Sequence, residues 1–141
     1  MPVEQRVRGR RFRCLECGAV MMVVPPQVLH YRLFSSVAIA WALSLFGISR
    51  LSPARVRERI SPWHQVGATA ARNWQTLRRW VSSVQVGELL PVRPTRNQKP
   101  KEVAAAVASM LSAQAPPSIR SLSVAHQTVS GVLHTLMGIT P

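Results

Sequence analysis

Residues 33–48 (LFSSVAIAWALSLFGI) form the densest apolar run of the chain and sit between Arg32 and Arg50. A membrane span needs about 20 apolar residues, and Ser35, Ser36 and Ser44 interrupt this shorter run. The expectation is therefore a central helix, buried on most of its surface, with Gly47 in a left-handed cap position at its end. Its boundaries are written in the flanking residues. Pro25 and Pro26 close the preceding segment, and Ser52-Pro53 supplies an N-cap followed by a first helical residue with no N–H to satisfy. The rest of the chain has to cover this helix, which sets the fold class as mainly α.

The helix opened by Ser52-Pro53 reads PARVRERI. Val56 and Ile60 fall on one face, Arg55 and Arg59 on another. A buried helix, a turn and a short arginine-bearing helix give the outline of a helix-turn-helix; an amphipathic connector with an ordinary charged face is the competing account. Ser61-Pro62-Trp63 repeats the start signal. After Gly67, residues 68–84 give the clearest helical period, with Ala70, Trp74, Leu77, Val81 and Val84 in one stripe. Opposite lie Arg72, Gln75, Arg79 and Ser82, with Arg78 beside them. Arginine matches guanine edges and glutamine adenine, so this face suits a major groove, and a solvated helix face is the alternative. Trp74, inside the stripe, reads as core rather than as a base-stacking surface; Trp63 and Trp80 carry no such assignment.

Residues 91–101 (PVRPTRNQKPK) hold three prolines and four cations without a hydrophobic period and read as a linker. An alanine-rich helix over 101–114 follows, ended by Pro116 and Pro117. A last helix, capped by Ser118 or Ser121, runs to Met137. Leu122, Ala125, Val129, Val132, Leu133, Leu136 and Met137 lie on one side, and His126, Ser130 and His134 on the other. The two histidines, eight residues apart, are about 12 Å apart on a helix, too far to share one metal. This helical pair needs a partner for its apolar face, either the central helix or a second copy of the chain.

Charge narrows the function classes. Eighteen Lys plus Arg, sixteen of them Arg, stand against five Glu and no Asp, a net charge of +13. Such an excess points to a polyanion, nucleic acid before an anionic membrane; a genome rich in arginine codons would account for Arg over Lys but not for the missing acids. Glu4, Glu16, Glu58, Glu88 and Glu102 are scattered, so clustered carboxylates for two-metal phosphoryl chemistry or glycoside hydrolysis are absent. No glycine-rich phosphate loop and no Ser-x-x-Lys nucleophile motif occurs. A tyrosine nucleophile at Tyr31, beside His30, has no active-site pattern around it. The expectation is a binding protein without catalytic residues. From residue 59 to 87 there is no acid at all, whereas soluble helices usually mix signs.

At the N-terminus, RVRGRRFRCLECGAVMMVVPP joins an arginine-dense run to a Cys-x-x-Cys turn and an apolar segment. Phe12 before the turn, and Val20, Met21, Val23 and Val24 after it, are the arms of an expected hairpin. Arg6, Arg8, Arg10, Arg11 and Arg13 put charge on both faces of an extended arm, suited to phosphates; a solvated tail is the alternative. Cys14 and Cys17 straddle a turn ending in Gly18, half of a tetrahedral zinc set. Four readings stand side by side: a site completed by a second chain, one completed by His30 or His64, a redox pair, or a relic lacking its other cysteines. Two cysteines in one turn suit a reducing compartment, and the N-terminus lacks the apolar core of a secretory signal, so cytoplasm is expected.

The run RRFRCLECGAVMMVVPPQVLHYRLFSSVAIAWAL, followed by SPWHQVGATAARNWQTLRRW, resembles a bacterial family of short transposase-like proteins (a DUF6431-like pattern). The resemblance covers roughly residues 6–84. It implies an N-terminal zinc ribbon joined to helix-turn-helix-like helices and DNA as partner; the first Cys-x-x-Cys of such a ribbon has no counterpart here.

The expectation is a small zinc-ribbon-like β-hairpin followed by a helical bundle and C-terminal helices. Its parts are a basic arm and half ribbon (1–26), a helix-turn-helix-like domain (27–90), a linker (91–101) and a helical hairpin (102–141). The expected function is DNA binding in a mobile-element or regulatory system. Contacts are expected from Arg8, Arg10, Arg11, Arg13, Arg55, Arg59, Arg72, Gln75, Arg78 and Arg79, with zinc on Cys14 and Cys17 and a homo-oligomer as a further possibility. The other classes are a membrane-associated basic protein using residues 33–48, and a truncated, non-functional fragment.

Overall fold

The computed structural model describes residues 6–25, 28, 34–61, 74–95 and 98–138. Two strands, β1 (Arg10–Arg13) and β2 (Val20–Val23), pair antiparallel, and among the described residues five α-helices follow. These are α1 (Ser36–Gly47), α2 (Pro53–Ile60), α3 (Gln75–Gln85), α4 (Pro100–Ala113) and α5 (Val124–Leu136), with one 3-10 turn at Pro117–Ile119. The protein is mainly helical with a small N-terminal hairpin.

The apolar run becomes α1, whose start is set by Ser35. Its Oγ accepts the Ala38 N–H at 3.2 Å, satisfying one orphan donor of the first turn. Ile39, Ala40, Ala42 and Leu43 have no exposed surface, and Leu45 and Phe46 almost none, so the helix is sheathed nearly all round. Helices α4 and α5 pack against it and against each other, and α2 and α3 cover further sides. One core cluster consequently holds residues from Ile39 to Val132, and the partner of the C-terminal helical pair is the central helix.

Gly47 is not the left-handed cap that the sequence suggested. It is the last residue of α1, and the left-handed residue nearby is Arg50, at φ 53°. Glycine is required at 47 for another reason: a Cβ there would run into the backbone of Ala104 and Ala105 on α4. The same device recurs where α5 meets α4, with Gly131 seated against the Leu111 carbonyl. Beside it Thr128, fully buried, shares its hydroxyl proton between the carbonyls of Val124 (2.8 Å) and Ala108 (3.2 Å). Alanines on α4 and glycines on its neighbours thus let backbones approach with almost no side chain between them.

The residues that α5 buries fully are accordingly Thr128, Gly131 and Val132; of the expected stripe from Leu122 to Met137 only Val132 is among them, with Ala125, Val129, Leu133 and Leu136 half-buried. Leu122 and Met137 are about half exposed, and Leu136 packs only on the core margin. The N-cap is Ser123, not Ser118 or Ser121. Ser118 lies in the 3-10 turn, and Ser123 Oγ pairs with His126 Nδ1 at 2.7 Å. Gln127 Nε2 donates to the carbonyls of Arg120 and Leu122, tying the preceding loop to the helix.

The expected helix over 68–84 is also shorter in its described part. Trp74 is its N-cap, at ψ 91°, so the helix starts at Gln75; residues 68–73 lie outside the described set. Trp74, Trp80 and Phe34 meet edge to face with centroids 5.1–5.9 Å apart, and Leu77, Val81 and Val84 continue the buried stripe. Trp74 is core, as its place in the stripe indicated, and Trp80 joins it.

Residues 91–101 are only in part a linker. Pro100 and Lys101 already belong to α4, Pro94 is buried and Val92 packs on the core. Two of its cations have structural work inside the chain. Lys101 Nζ donates to the Arg50 carbonyl at 3.1 Å and lies 5.6 Å from the centre of the Phe46 ring. The Arg93 guanidinium lies across Gly87, where a Cβ would strike it, at the C-terminal end of α3. A cation there also meets the negative end of the helix dipole.

Candidate nucleic-acid interface

The cap anticipated for α2 is present: Ser52 Oγ accepts the Arg55 N–H at 3.4 Å and Pro53 is the first helical residue. That start fixes the rotation of the helix. Val56 and Ile60 turn into the core while Arg55 and Arg59, one turn apart, face outward. Arg55 is not a free cation, since its Nη1 sits 3.0 Å from Glu58 Oε2. With both side chains well exposed, solvent screens this pair, which therefore opens at little cost when a stronger anion arrives. Arg57, the third arginine of the helix, is 9% exposed and engaged within the protein.

On α3 the aromatic packing of Trp74 and Trp80 fixes the opposite face. Gln75, Arg78, Arg79 and Ser82 are exposed. Among the described residues neither Arg78 nor Arg79 has a carboxylate within ion-pair distance, and Glu88, past the helix end, is the nearest acid in sequence. Arg72 lies outside the described residues. Helices α2 and α3 both rest on α1 and share no extensive contact with each other.

The hairpin supplies the third group. Pairing sets Arg10 opposite Val23, Arg11 opposite Met22, Phe12 opposite Met21 and Arg13 opposite Val20. Since facing residues point to the same side and successive ones alternate, Arg11 and Arg13 share a face with Val20 and Met22. Arg10 and Phe12 share the other with Met21 and Val23. Arg8 is exposed in the segment before β1. Both faces mix guanidinium with apolar surface, and every strand residue is exposed. The hairpin has no extensive contact with any described helix. The structure thus places basic groups on three separate elements, α2, α3 and the hairpin, and buries none of the described arginines Arg8, Arg10, Arg11, Arg13, Arg55, Arg59, Arg78 and Arg79.

At the hairpin tip, the Gly18 N–H donates to the Cys14 carbonyl at 3.1 Å and the Cys14 N–H to the Ala19 carbonyl at 2.8 Å. Gly18 sits at φ 73°, a conformation in which glycine alone carries no Cβ penalty. The backbone N–H groups of Cys17 and Glu16, and then the Cys17 side chain, are aimed at the Cys14 sulfur and hold its thiol below the ordinary range. Both cysteines are exposed and free. The Arg13 guanidinium reaches to 3.9 Å from where a Gly18 Cβ would stand. Among the described residues no group of three or more Cys, His, Asp or Glu gathers at a metal-holding distance; His30 and His64 lie outside them. Two thiols in one turn, with N–H donors aimed at the Cys14 sulfur, fit half of a zinc set.

Sequence reasoning left out the internal engagements that divide the cations: the Arg55–Glu58 pair, the burial of Arg57 and the docking of Arg93 on Gly87. The first was available as an i,i+3 pair of opposite charges. The other two depend on tertiary placement and have no local signal. No family model, no curated protein and no solved structure matches this chain.

Proposed function

We propose that this is a DNA-binding protein of a mobile-element or regulatory system, acting in the cytoplasm without catalytic chemistry of its own. The observation that carries the reading is the outer face of α3. A helix locked by a tryptophan pair presents Gln75, Arg78 and Arg79 to solvent, in a stretch from 59 to 87 with no acid. A helix face of this kind fits a major groove, arginine to guanine and glutamine to adenine. Arg72 would extend it. Arg55 and Arg59 on α2, and Arg8, Arg10, Arg11 and Arg13 on the arm and hairpin, would add phosphate contacts that set affinity and register rather than sequence. The resemblance of residues 6–84 to transposase-like proteins agrees with this reading, and the scattered carboxylates agree with a binding rather than a cutting role.

The membrane alternative has no comparable support. Among the described residues no helix is long and apolar enough to cross a bilayer, and α1, the helix formed within residues 33–48, is 12 residues long and enclosed by the core.

The experiment is fluorescence anisotropy of a labelled duplex against the 141-residue chain from about 50 to 300 mM salt. Affinity should fall by about 0.9 log unit per log salt for each phosphate neutralised. Replacing Arg72, Arg78 and Arg79 by alanine should weaken binding at least about tenfold at moderate salt and flatten that slope. A folded triple variant with unchanged affinity removes α3 from the interface, and no binding at low salt by the folded chain overturns the reading.

A further inference from the structure

The hairpin presents an unfinished site and an uncovered surface in the same place. Its turn offers two thiols, Cys14 and Cys17, both exposed, and the chain holds no other cysteine. Its strands expose Phe12, Val20, Met21, Met22 and Val23 each by more than half, and Leu15 at the tip is 99% exposed. An isolated two-stranded hairpin with no packed face is marginal in water. Among the described residues the helices do not supply that face, because none of them makes extensive contact with the hairpin. A tetrahedral structural zinc site needs four ligands, and this turn provides half of them.

We propose that two copies of this chain share one zinc ion, held by Cys14 and Cys17 of each, with the two hairpins as the interface. A second copy satisfies both deficits at once. It brings the two missing thiolates in the same turn geometry, and an isologous contact places the same apolar strands against each other. Phe12, Met21 and Val23, which share a face, are the surface it would cover.

The charge balance fits as well. Binding expels four thiol protons, so one Zn²⁺ with four thiolates carries a net charge of −2. Arg13, which reaches the turn at Gly18, would contribute one positive charge from each copy and neutralise it. Without the ion, the arginines of two hairpins repel each other, so the dimer depends on the metal. This inference does not rest on the DNA reading; a dimer could form whether or not DNA binds.

The test uses the full chain, purified under reduction and titrated with zinc or cobalt(II), with metal content, native mass and helical circular dichroism read together. The expected result is about 0.5 ion per chain, a native mass twice that of the chain, and the absorption of a four-thiolate tetrahedral site with cobalt. A chelator should return the monomer, and Cys14→Ser should abolish metal and dimer together while leaving the helical signal intact. Phe12→Ser should weaken the metal-loaded dimer without changing the metal-to-dimer ratio. One ion per monomeric chain, lost on replacing His30 or His64, would overturn the proposal, as would a chain that binds no metal or a dimer indifferent to chelator.

Discussion

Gly131→Ala is the substitution on which local and tertiary arguments disagree in sign. In the helix interior alanine is favoured over glycine by about 1 kcal/mol, so an isolated α5 would gain stability. In the folded chain the added methyl would meet the Leu111 carbonyl and lie within contact of the Leu111 Cα. Backbone cannot rotate away as a side chain can, so α4 and α5 have to part. Overpacking of this kind costs about 1–3 kcal/mol. The movement also stretches the Thr128 bond to the Ala108 carbonyl, worth about 1 kcal/mol, and loosens Val132. The net effect is a loss of about 1–3 kcal/mol. With an unfolding entropy of about 2.1 cal/mol/K per residue, a 141-residue chain loses about 0.3 kcal/mol per degree, so Tm should fall by about 3–10 °C. Thermal unfolding followed by circular dichroism measures it, with Ser109→Ala on the exposed side of α4 as the control for propensity alone. A Tm for Gly131→Ala equal to or above wild type would refute the close crossing of α4 and α5.

Other substitutions probe separate parts of the argument. Trp80→Ala removes the centre of the Phe34–Trp74–Trp80 cluster and should cost about 3–5 kcal/mol, visible as a large drop in the denaturant midpoint; a change under 1 kcal/mol would mean the cluster is not core. Ser52→Ala should cost about 0.5–1 kcal/mol, at the low end for a cap because its bond is long and exposed, and chemical denaturation would register it. Gly87→Ala has to force a Cβ into a positive-φ position occupied by Arg93, so it should destabilise by more than about 1 kcal/mol. Arg93→Ala in the same background should recover part of the loss, and no recovery would disconnect the two residues. In the metal-free chain, the lowered Cys14 pKa means more thiolate at neutral pH. Its alkylation rate should therefore reach its midpoint at a lower pH than that of a cysteine in an unstructured peptide under the same conditions; a midpoint at or above the peptide's contradicts the aimed N–H groups.

Much of the architecture was legible because it is written in short-range chemistry. Ser52-Pro53 specifies a helix start by itself, the turn at Gly18 sets the hairpin, and the stripe Trp74, Leu77, Val81, Val84 sets one side of α3. The outward direction of Arg78 and Arg79 followed from that stripe. What was not legible depends on partners far along the chain. Apolar periodicity placed Val132 correctly but missed Thr128 and Gly131, which complete the buried seam of α5. The alanines of α4 reward backbone approach, and hydrophobicity does not register that. Gly47 does end α1, as the sequence suggested, but what requires glycine there is the backbone of Ala104 and Ala105 rather than a left-handed cap. Arg57 reads as one more surface cation in PARVRERI, and only the fold turns it inward.

The order in which the ribosome delivers these helices adds a consequence of the core's connectivity. Helix α1 ends at Gly47, but the helices that enclose most of it begin at Pro100 and Val124. At about 5–20 residues per second, roughly 4–15 seconds separate the synthesis of α1 from the start of α5. Throughout that interval Ile39, Leu43 and Phe46 have no finished core to enter. The nascent chain therefore displays an apolar segment of the kind chaperones bind, and any product released before α5 leaves its most hydrophobic helix without one of its two main partners.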